Sequence, residues 1–130
     1  MSCVVLDTNI LVASLWKDKS KSAEIVRRVI EQRLTACFDL NIIDEYRRVL
    51  RRFEFRFKRS VLEELMYGIT SNGLEVIAPK SDIAFVHESD RMFYDVARHC
   101  NAILITANLR HYPANEPLIM TSGAFLRSVV

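Results

Sequence analysis

Short, continuous runs of apolar residues alternate along the chain with longer segments of helical periodicity, and this alternation is what most limits the possible folds. The first run, 3–6, is too uniformly apolar for a strand with one face in water, so it predicts a buried central strand. Strands that alternate with helices in this way pair in parallel and carry helices on both faces. The sequence therefore predicts an α/β fold with three layers, α/β/α, around a parallel sheet of four to five strands. The later strands are expected at residues 35–38, 74–77, 102–105 and 118–120.

The helices between these strands follow from apolar residues at three- and four-residue spacing. Their predicted starts are marked by polar residues whose side chains can cap a helix. We expect helices at 8–15, at 20–32, from Asp39 or Asn41, at 60–69, from Ser89 or Asp90 to Asn101, and from Thr121 or Ser122.

The 130 residues are enough for one domain, 1–130, with one hydrophobic core. Half of the residues are apolar and Gly and Pro are few, which opposes disorder. No apolar run approaches the roughly 20 residues of a membrane span, and the first residues lack the features of a secretory signal. We therefore expect a cytoplasmic protein without membrane contact, in which Cys3, Cys37 and Cys100 are buried thiols.

Acidic and polar residues follow the predicted strands, where parallel α/β sheets bind their ligands. Asp7 follows the first strand, Glu45 lies early in the helix after the second, and Asp90 opens the helix before the fourth. Thr106 and Asn108 follow the fourth strand. Three converging carboxylates repel one another unless a hard divalent cation lies between them, and Mg²⁺ or Mn²⁺ suits such an all-oxygen site.

Each acid also has a purely structural interpretation. Asp7 and Asp90 each precede a helix and could cap it. Glu45 could be a solvent-exposed charge that pairs at helical spacing with Arg48. Asp95 is interpreted as a charge on a helix surface, and the three histidines are too scattered along the chain to suggest a metal site.

The segments that carry these residues resemble, in the same order, the motifs of PIN-domain ribonucleases. Residues 4–11, VVLDTNIL, resemble the opening motif of that family. Residues 42–50, 90–93 and 103–108 are similar to its glutamate-bearing helix and its third and fourth segments. Residues 119–126 resemble the end of the branch that comprises toxins of toxin–antitoxin pairs. The resemblance spans nearly the whole chain.

The resemblance implies a metal-dependent endoribonuclease that hydrolyses RNA phosphodiester bonds as the toxin of a toxin–antitoxin system. It implies that Asp7, Glu45 and Asp90 are the catalytic and metal-binding acids, with Mg²⁺ or Mn²⁺ as cofactor. It also implies that Asn9 and Thr106 support them. The partners that it implies are an RNA substrate, an antitoxin protein and further copies of the chain in a dimer or tetramer.

Asn108 departs from the family pattern, because Thr106-Ala107-Asn108 stands where Thr-Gly-Asp is usual. An amide oxygen can still bind a metal or position a water, but it carries no negative charge and accepts no proton at neutral pH. We therefore count Asn108 with the catalytic residues and keep a second hypothesis, a weakly active or non-catalytic module that binds RNA or protein. A phosphoryl-transfer domain with Asp7 as nucleophile is disfavoured, since such enzymes usually place a second aspartate where this chain has Asn9.

Residues 47–59 concentrate positive charge in a chain whose formal net charge is only +2. On a helical wheel, Arg48 and Arg52 lie beside Glu45, and the apolar residues lie opposite. Together with Arg56, these arginines are predicted to bind RNA phosphates. The alternative is a solvated face or a docking surface for an acidic partner.

Aromatic residues alternate with charges at the end of this basic segment, at Phe53, Phe55 and Phe57. Such rings can stack on nucleic acid bases. The sequence favours packing in the core or in a protein interface, because aromatic side chains supply much of the area buried in both. Trp16 is interpreted in the same way, as a packing residue.

Overall fold

The computed structural model describes residues 2–129. The strands are β1 Cys3–Leu6, β2 Thr35–Phe38, β3 Leu74–Glu75, β4 Ile103–Ile105 and β5 Ile119–Met120. The helices are α1 Thr8–Trp16, α2 Lys21–Ile30, α3 Leu40–Arg51, α4 Arg59–Thr70, α5 Arg91–Cys100 and α6 Ser122–Ser128. All strands are parallel and form one sheet in the order β3-β2-β1-β4-β5. The expected three-layer α/β/α fold is thereby confirmed.

β1 lies at the centre of the sheet, between β2 and β4. Val4, Val5 and Leu6 are fully buried, because a central parallel strand is covered on both faces. Leu6 pairs with Ile105 of β4, so the residues that follow these two strands leave the sheet side by side. This register places the first residues after β1 next to the first residues after β4.

The helices cover the sheet and close one hydrophobic core. α5 packs against β1, β2 and β4 and also contacts α3, while α2 contacts α1, α4 and α6. Of the cysteines, Cys37 is buried as expected, whereas Cys3 and Cys100 are only half-buried, and all three are free thiols. Within residues 2–129, no helix is long and apolar enough to cross a membrane.

Side-chain caps start three of the helices where the sequence predicts them. The side-chain oxygens of Ser20, Asp39 and Thr121 each accept a hydrogen bond from the backbone N–H three residues further on, at 2.8–3.2 Å. α5 ends at Asn101, whose φ of 52° places it in the left-handed region that asparagine tolerates. The polar residues between strands and helices thus fix most of the helix boundaries.

The third strand is shorter than predicted, since it covers Leu74–Glu75 and not the whole of 74–77. The backbone N–H of Val76 still donates to β2, at 2.9 Å. Ile77 is then 93% exposed and Pro79 follows, so the chain leaves the edge of the sheet. The apolar residues Leu74, Val76 and Ile77 predict a strand here, but only residues 74–76 pair or hydrogen-bond with β2.

Asp95 is buried, and its interpretation as a surface charge is wrong. It lies on α5, and its Oδ2 accepts a hydrogen bond from the backbone N–H of Ser81 at 3.2 Å. Arg91 donates to the backbone carbonyl of the same serine at 2.7 Å. The irregular segment after β3 therefore covers a face of α5 that helical periodicity alone assigns to solvent.

Candidate metal centre

Asp7 is the first residue after β1 and is almost completely buried. Its Oδ2 accepts two hydrogen bonds, from Thr106 Oγ1 at 2.8 Å and from the Tyr112 hydroxyl at 2.9 Å. Its side chain makes no capping bond to α1, so the interpretation as a helix cap is wrong. Two neutral donors therefore fix one carboxylate oxygen, and Oδ1 accepts no hydrogen bond from residues 2–129.

Asn9 and Thr106 connect the two loops that leave β1 and β4. Thr106 is fully buried, and its Oγ1 accepts a hydrogen bond from the Asn108 N–H at 3.0 Å while it donates to Asp7. Asn9 Oδ1 accepts a hydrogen bond from the Ala107 N–H at 3.1 Å. These contacts hold the loop after β4 against the start of α1.

Asp90 lies near Asp7, at the turn that leads into α5. Burial and the negative charge of Asp7 raise the pKa of Asp90, and the nearby His111 and His87 only partly offset this effect. Asp90 Oδ2 is buried and makes no hydrogen bond within residues 2–129, and His111 Nδ1 lies 3.2 Å from it. The side chain does not cap α5, so the cap interpretation is wrong here too. A buried carboxylate oxygen beside a second carboxylate is suited to binding a cation.

Three residues that the sequence did not single out complete this cluster. The Tyr112 hydroxyl bonds Asp7, and burial together with the charges of Asp7 and Asp90 raises its pKa far above the ordinary value, so it remains a donor. The rings of His87 and His111 lie 4.6 Å apart, edge to face, beside Asp90. The turns at 88–90 and 109–111 bring these side chains together, and no periodicity or spacing in the sequence signals that meeting.

Glu45 does not join the two aspartates in this structure. Its carboxylate forms an ion pair with Arg48 on the next turn of α3. This is the structural alternative that the sequence left open for Glu45. Among residues 2–129, no three acidic, histidine or cysteine side chains are arranged to hold a metal ion. The structure thus brings together Asp7 and Asp90 but leaves the third predicted acid apart.

Asn108 lies at the edge of the cluster with its side chain exposed. Its backbone N–H bonds Thr106, but the amide group makes no hydrogen bond with residues 2–129. The side chain is therefore not committed to a structural contact.

The basic segment 47–59 lies on the surface, and all its arginine and lysine side chains are exposed. In the described part of the chain, only two of them form ion pairs, Arg48 with Glu45 and Arg59 with Glu63. Arg52 and Arg56 are among those without an acidic partner in residues 2–129. Positive charge that the protein itself does not neutralise is available to a polyanion.

Replacing Tyr112 with Phe is expected to loosen the hold on Asp7 while keeping the buried ring. Loss of a hydrogen bond to a charged group costs about 1.5–3 kcal/mol of stability, and loss of a group that orients a metal ligand weakens metal binding about 10- to 100-fold. Urea unfolding and calorimetric titration with Mn²⁺ measure the two effects.

Tyr94→Phe is the matched control, because Tyr94 is also buried and its hydroxyl also donates a hydrogen bond to a carboxylate, that of Glu116, at 2.8 Å. It should lower stability and leave Mn²⁺ binding unchanged. Wild-type Mn²⁺ affinity in Tyr112→Phe would show that Tyr112 does not position Asp7 for a cation.

A protein-family model described as PIN domain matches residues 3–110 of the chain. The matched part contains Asp7, Asp90 and the basic segment, and it ends before His111 and Tyr112 and before β5 and α6. No curated protein matches the chain.

Proposed function

The chain belongs to the PIN domain family, and from this premise we propose that it is a metal-dependent endoribonuclease and the toxin of a toxin–antitoxin pair. PIN domains are generally nucleases. The observation that carries the proposal is the pair of carboxylates at the carboxyl edge of the parallel sheet. Asp7 has one oxygen held by two neutral donors, and Asp90 has a buried oxygen without a hydrogen bond.

The donor set fits a hard divalent cation. Asp7 and Asp90 offer carboxylate oxygens, and Asn108 offers an exposed amide oxygen, which are the ligand types that Mg²⁺ and Mn²⁺ prefer. A cation also relieves the repulsion between the two aspartates. When bound, it would offset negative charge on a phosphate and make water a better nucleophile.

The surrounding residues orient these acids. Thr106 and Tyr112 fix Asp7 Oδ2, so that the carboxylate keeps one orientation and presents Oδ1. Both donors are neutral, so the negative charge of Asp7 is not compensated by a positive side chain. Asn9 holds the loop after β4 in place, which keeps Asn108 at the edge of the cluster.

We propose Glu45 as the third acid, through exchange of its ion pair with Arg48. The Arg48 side chain is 57% exposed, and ion pairs of this exposure contribute only about 0–1 kcal/mol. Little stability is therefore lost if Glu45 leaves Arg48, and together with Asp7 and Asp90 it would hold the cation. The released guanidinium is then free to bind an RNA phosphate.

Mixed RNA incubated with the protein and Mg²⁺ or Mn²⁺ tests the proposed activity. We expect internal cleavage of RNA that stops when a chelator is added, because the acids alone do not neutralise the phosphate. Intact RNA with either cation, in the presence of folded protein, would contradict the proposal.

Arg48, Arg52 and Arg56 are proposed to hold RNA phosphates and not to take part in the chemistry. Replacing Arg48 and Arg52 together with Ala should weaken RNA binding and flatten its salt dependence by about 0.7 of log–log slope for each phosphate that is no longer bound. Titrations at several salt concentrations measure this slope. The control is Arg33→Ala, which removes an exposed arginine just before β2, at the amino edge of the sheet, and should leave the slope unchanged. An unchanged slope in the double variant would favour a solvated surface.

A weakly active or non-catalytic binding module is the second candidate, and the amide at position 108 favours it. Asn108→Asp adds negative charge where the side chain has no other contact, so we expect tighter Mn²⁺ binding and RNA cleavage that is severalfold faster. Calorimetry and cleavage rates at several Mg²⁺ concentrations measure both. Asn72→Asp adds the same charge after α4 and should change neither; if Asn108→Asp also changes neither, the binding module is favoured.

An antitoxin protein and further copies of the chain, in a dimer or tetramer, are the proposed protein partners. The resemblance of residues 119–126 to the toxin branch supports the antitoxin. Exposed apolar side chains, among them Ile77 at 93% and Val86 at 72%, are of the kind that protein interfaces cover. Light scattering on the isolated chain tests self-association directly.

A further inference from the structure

An aromatic cluster joins the end of α1 to the loop after α3. The Trp16 ring lies edge-on against Phe53 and Phe57, with ring centroids 6.0 and 5.4 Å away. Phe53 and Phe57 are half-buried, as the packing interpretation predicts. Phe53 and Phe57 therefore form the inner side of the cluster, where contact with Trp16 holds both rings.

The outer side of this cluster is exposed, which the packing interpretation of Trp16 and Phe55 does not account for. Trp16 is 49% exposed and Phe55 is 80% exposed. The Arg56 guanidinium carbon lies near both rings, 5.3 Å from the Trp16 ring centroid and 5.7 Å from that of Phe55. Two exposed rings with a guanidinium beside them combine stacking surfaces with a positive charge.

This surface is continuous along α3 with Glu45, the proposed third acid. Glu45, Arg48 and Arg52 lie on one stripe of the helix, because residues three, four and seven apart share a face. At about 1.5 Å per residue, Arg52 lies roughly 10 Å along the axis from Glu45, and the chain then turns to bring Arg56 against Trp16. A line of exposed cations thus runs from the proposed active site to the open rings.

Charge favours a nucleic acid over a protein as the occupant of these rings. Glu54 is the only acidic residue within 47–59, and in residues 2–129 most of the cations there have no acidic partner. Aromatic residues and arginine are enriched in protein interfaces too, but an excess of positive charge without acidic partners favours a polyanion. Surfaces that bind single-stranded nucleic acid combine a cationic groove with rings on which unpaired bases stack. In a duplex the bases already stack on one another and cannot reach side-chain rings.

We propose that Trp16, Phe55 and Arg56 form a base-stacking subsite for single-stranded RNA, set apart from the acidic cluster along α3. The proposal rests on the proposed ribonuclease function and adds to it a place, away from the acids, where unpaired bases are held. Arg48 and Arg52 hold the phosphates between the scissile position and the stacked bases.

Trp16 provides a direct test, because it is the only tryptophan of the chain. The full chain is titrated with a ten-nucleotide single-stranded RNA in a chelator, while tryptophan fluorescence is recorded. We expect saturable quenching, since a base that stacks on Trp16 changes its surroundings. A duplex of the same length should bind through its phosphates with little quenching.

Phe55→Ala is the variant of choice, because an 80% exposed ring can be removed without disturbing the core. It should weaken binding of the single strand about tenfold, the size expected for loss of one stacked base, and should leave binding of the duplex unchanged. Arg56→Lys keeps the charge but loses the planar group, so it should weaken binding less than Arg56→Ala. Ile77→Ala, which removes a 93% exposed apolar side chain at the edge of the sheet after β3, is the control and should bind as wild type does.

The outcomes separate this subsite from the proposed activity, because the titration needs no cation and no cleavage. Quenching by the single strand that Phe55→Ala weakens supports the subsite, even if no cation produces cleavage. Cleavage of RNA without quenching, or equal binding by Phe55→Ala and wild type, overturns the subsite and leaves the ribonuclease proposal standing. A tryptophan signal that depends on protein concentration and not on RNA would overturn it in favour of an interface between copies of the chain.

Discussion

Asp7→Asn is expected to abolish metal-dependent RNA cleavage and to leave the fold intact. The amide oxygen can accept the hydrogen bonds of Thr106 and Tyr112 that Oδ2 accepts in the wild type. The amide nitrogen then occupies the position of Oδ1, where it presents hydrogens instead of a negative oxygen. Since even changes to groups that only orient a metal ligand cost about 10- to 100-fold, we expect a loss of cleavage of at least about 100-fold.

Cleavage rates, Mn²⁺ calorimetry and thermal unfolding together test this expectation. Asp44→Asn is the matched control, because it makes the same change of charge at an exposed position on α3, and it should retain cleavage. Asp7→Asn that unfolds like the wild type and still cleaves RNA at a similar rate would remove Asp7 from the metal centre.

The sequence predicts those parts of the site that depend on strand order and register. Asp7 and Thr106 meet because they follow two neighbouring strands in a parallel sheet, and continuous apolar runs are enough to place those strands. Asp39 and Ser20 cap their helices for an equally local reason. A helix cap, or a contact between residues that directly follow neighbouring strands, can therefore be predicted from the residue types alone.

The parts that could not be predicted depend on irregular segments. Tyr112 and His111 reach the acids through a short turn whose path has no periodic signature, and Asp95 is buried because an irregular segment covers α5. Glu45 shows a different limit, since its position on α3 allows both a metal site and an ion pair with Arg48. In the structure the ion pair forms, and residue spacing alone does not decide between the two.

Asp90→Asn is expected to abolish RNA cleavage and, in the absence of divalent cations, to make the fold more stable at neutral pH. Burial and the charge of Asp7 raise the pKa of Asp90 in the folded chain. Between its ordinary pKa and this raised value, the folded chain binds more protons than the unfolded chain, so stability falls as pH rises through that window and stays lower above it. Asparagine is close in shape to the protonated acid and does not ionise, so the variant escapes this loss.

RNA cleavage rates measure the first part of this expectation, and thermal unfolding from acid to neutral pH, with and without Mn²⁺, measures the second. Without cation, Asp90→Asn should melt a few degrees above the wild type at neutral pH and at nearly the same temperature in acid. With Mn²⁺, only the wild type should gain stability, because a ligand stabilises the state that binds it. Glu88→Gln is the control, because the pKa of Glu88 is shifted in the opposite direction: Arg91 lowers it. Above its ordinary pKa the Glu88 carboxylate therefore favours folding, and its loss should not stabilise the chain. If Asp90→Asn melted below the wild type at neutral pH without cation, the Asp90 carboxylate would have a structural role and would not be held in place for a metal ion.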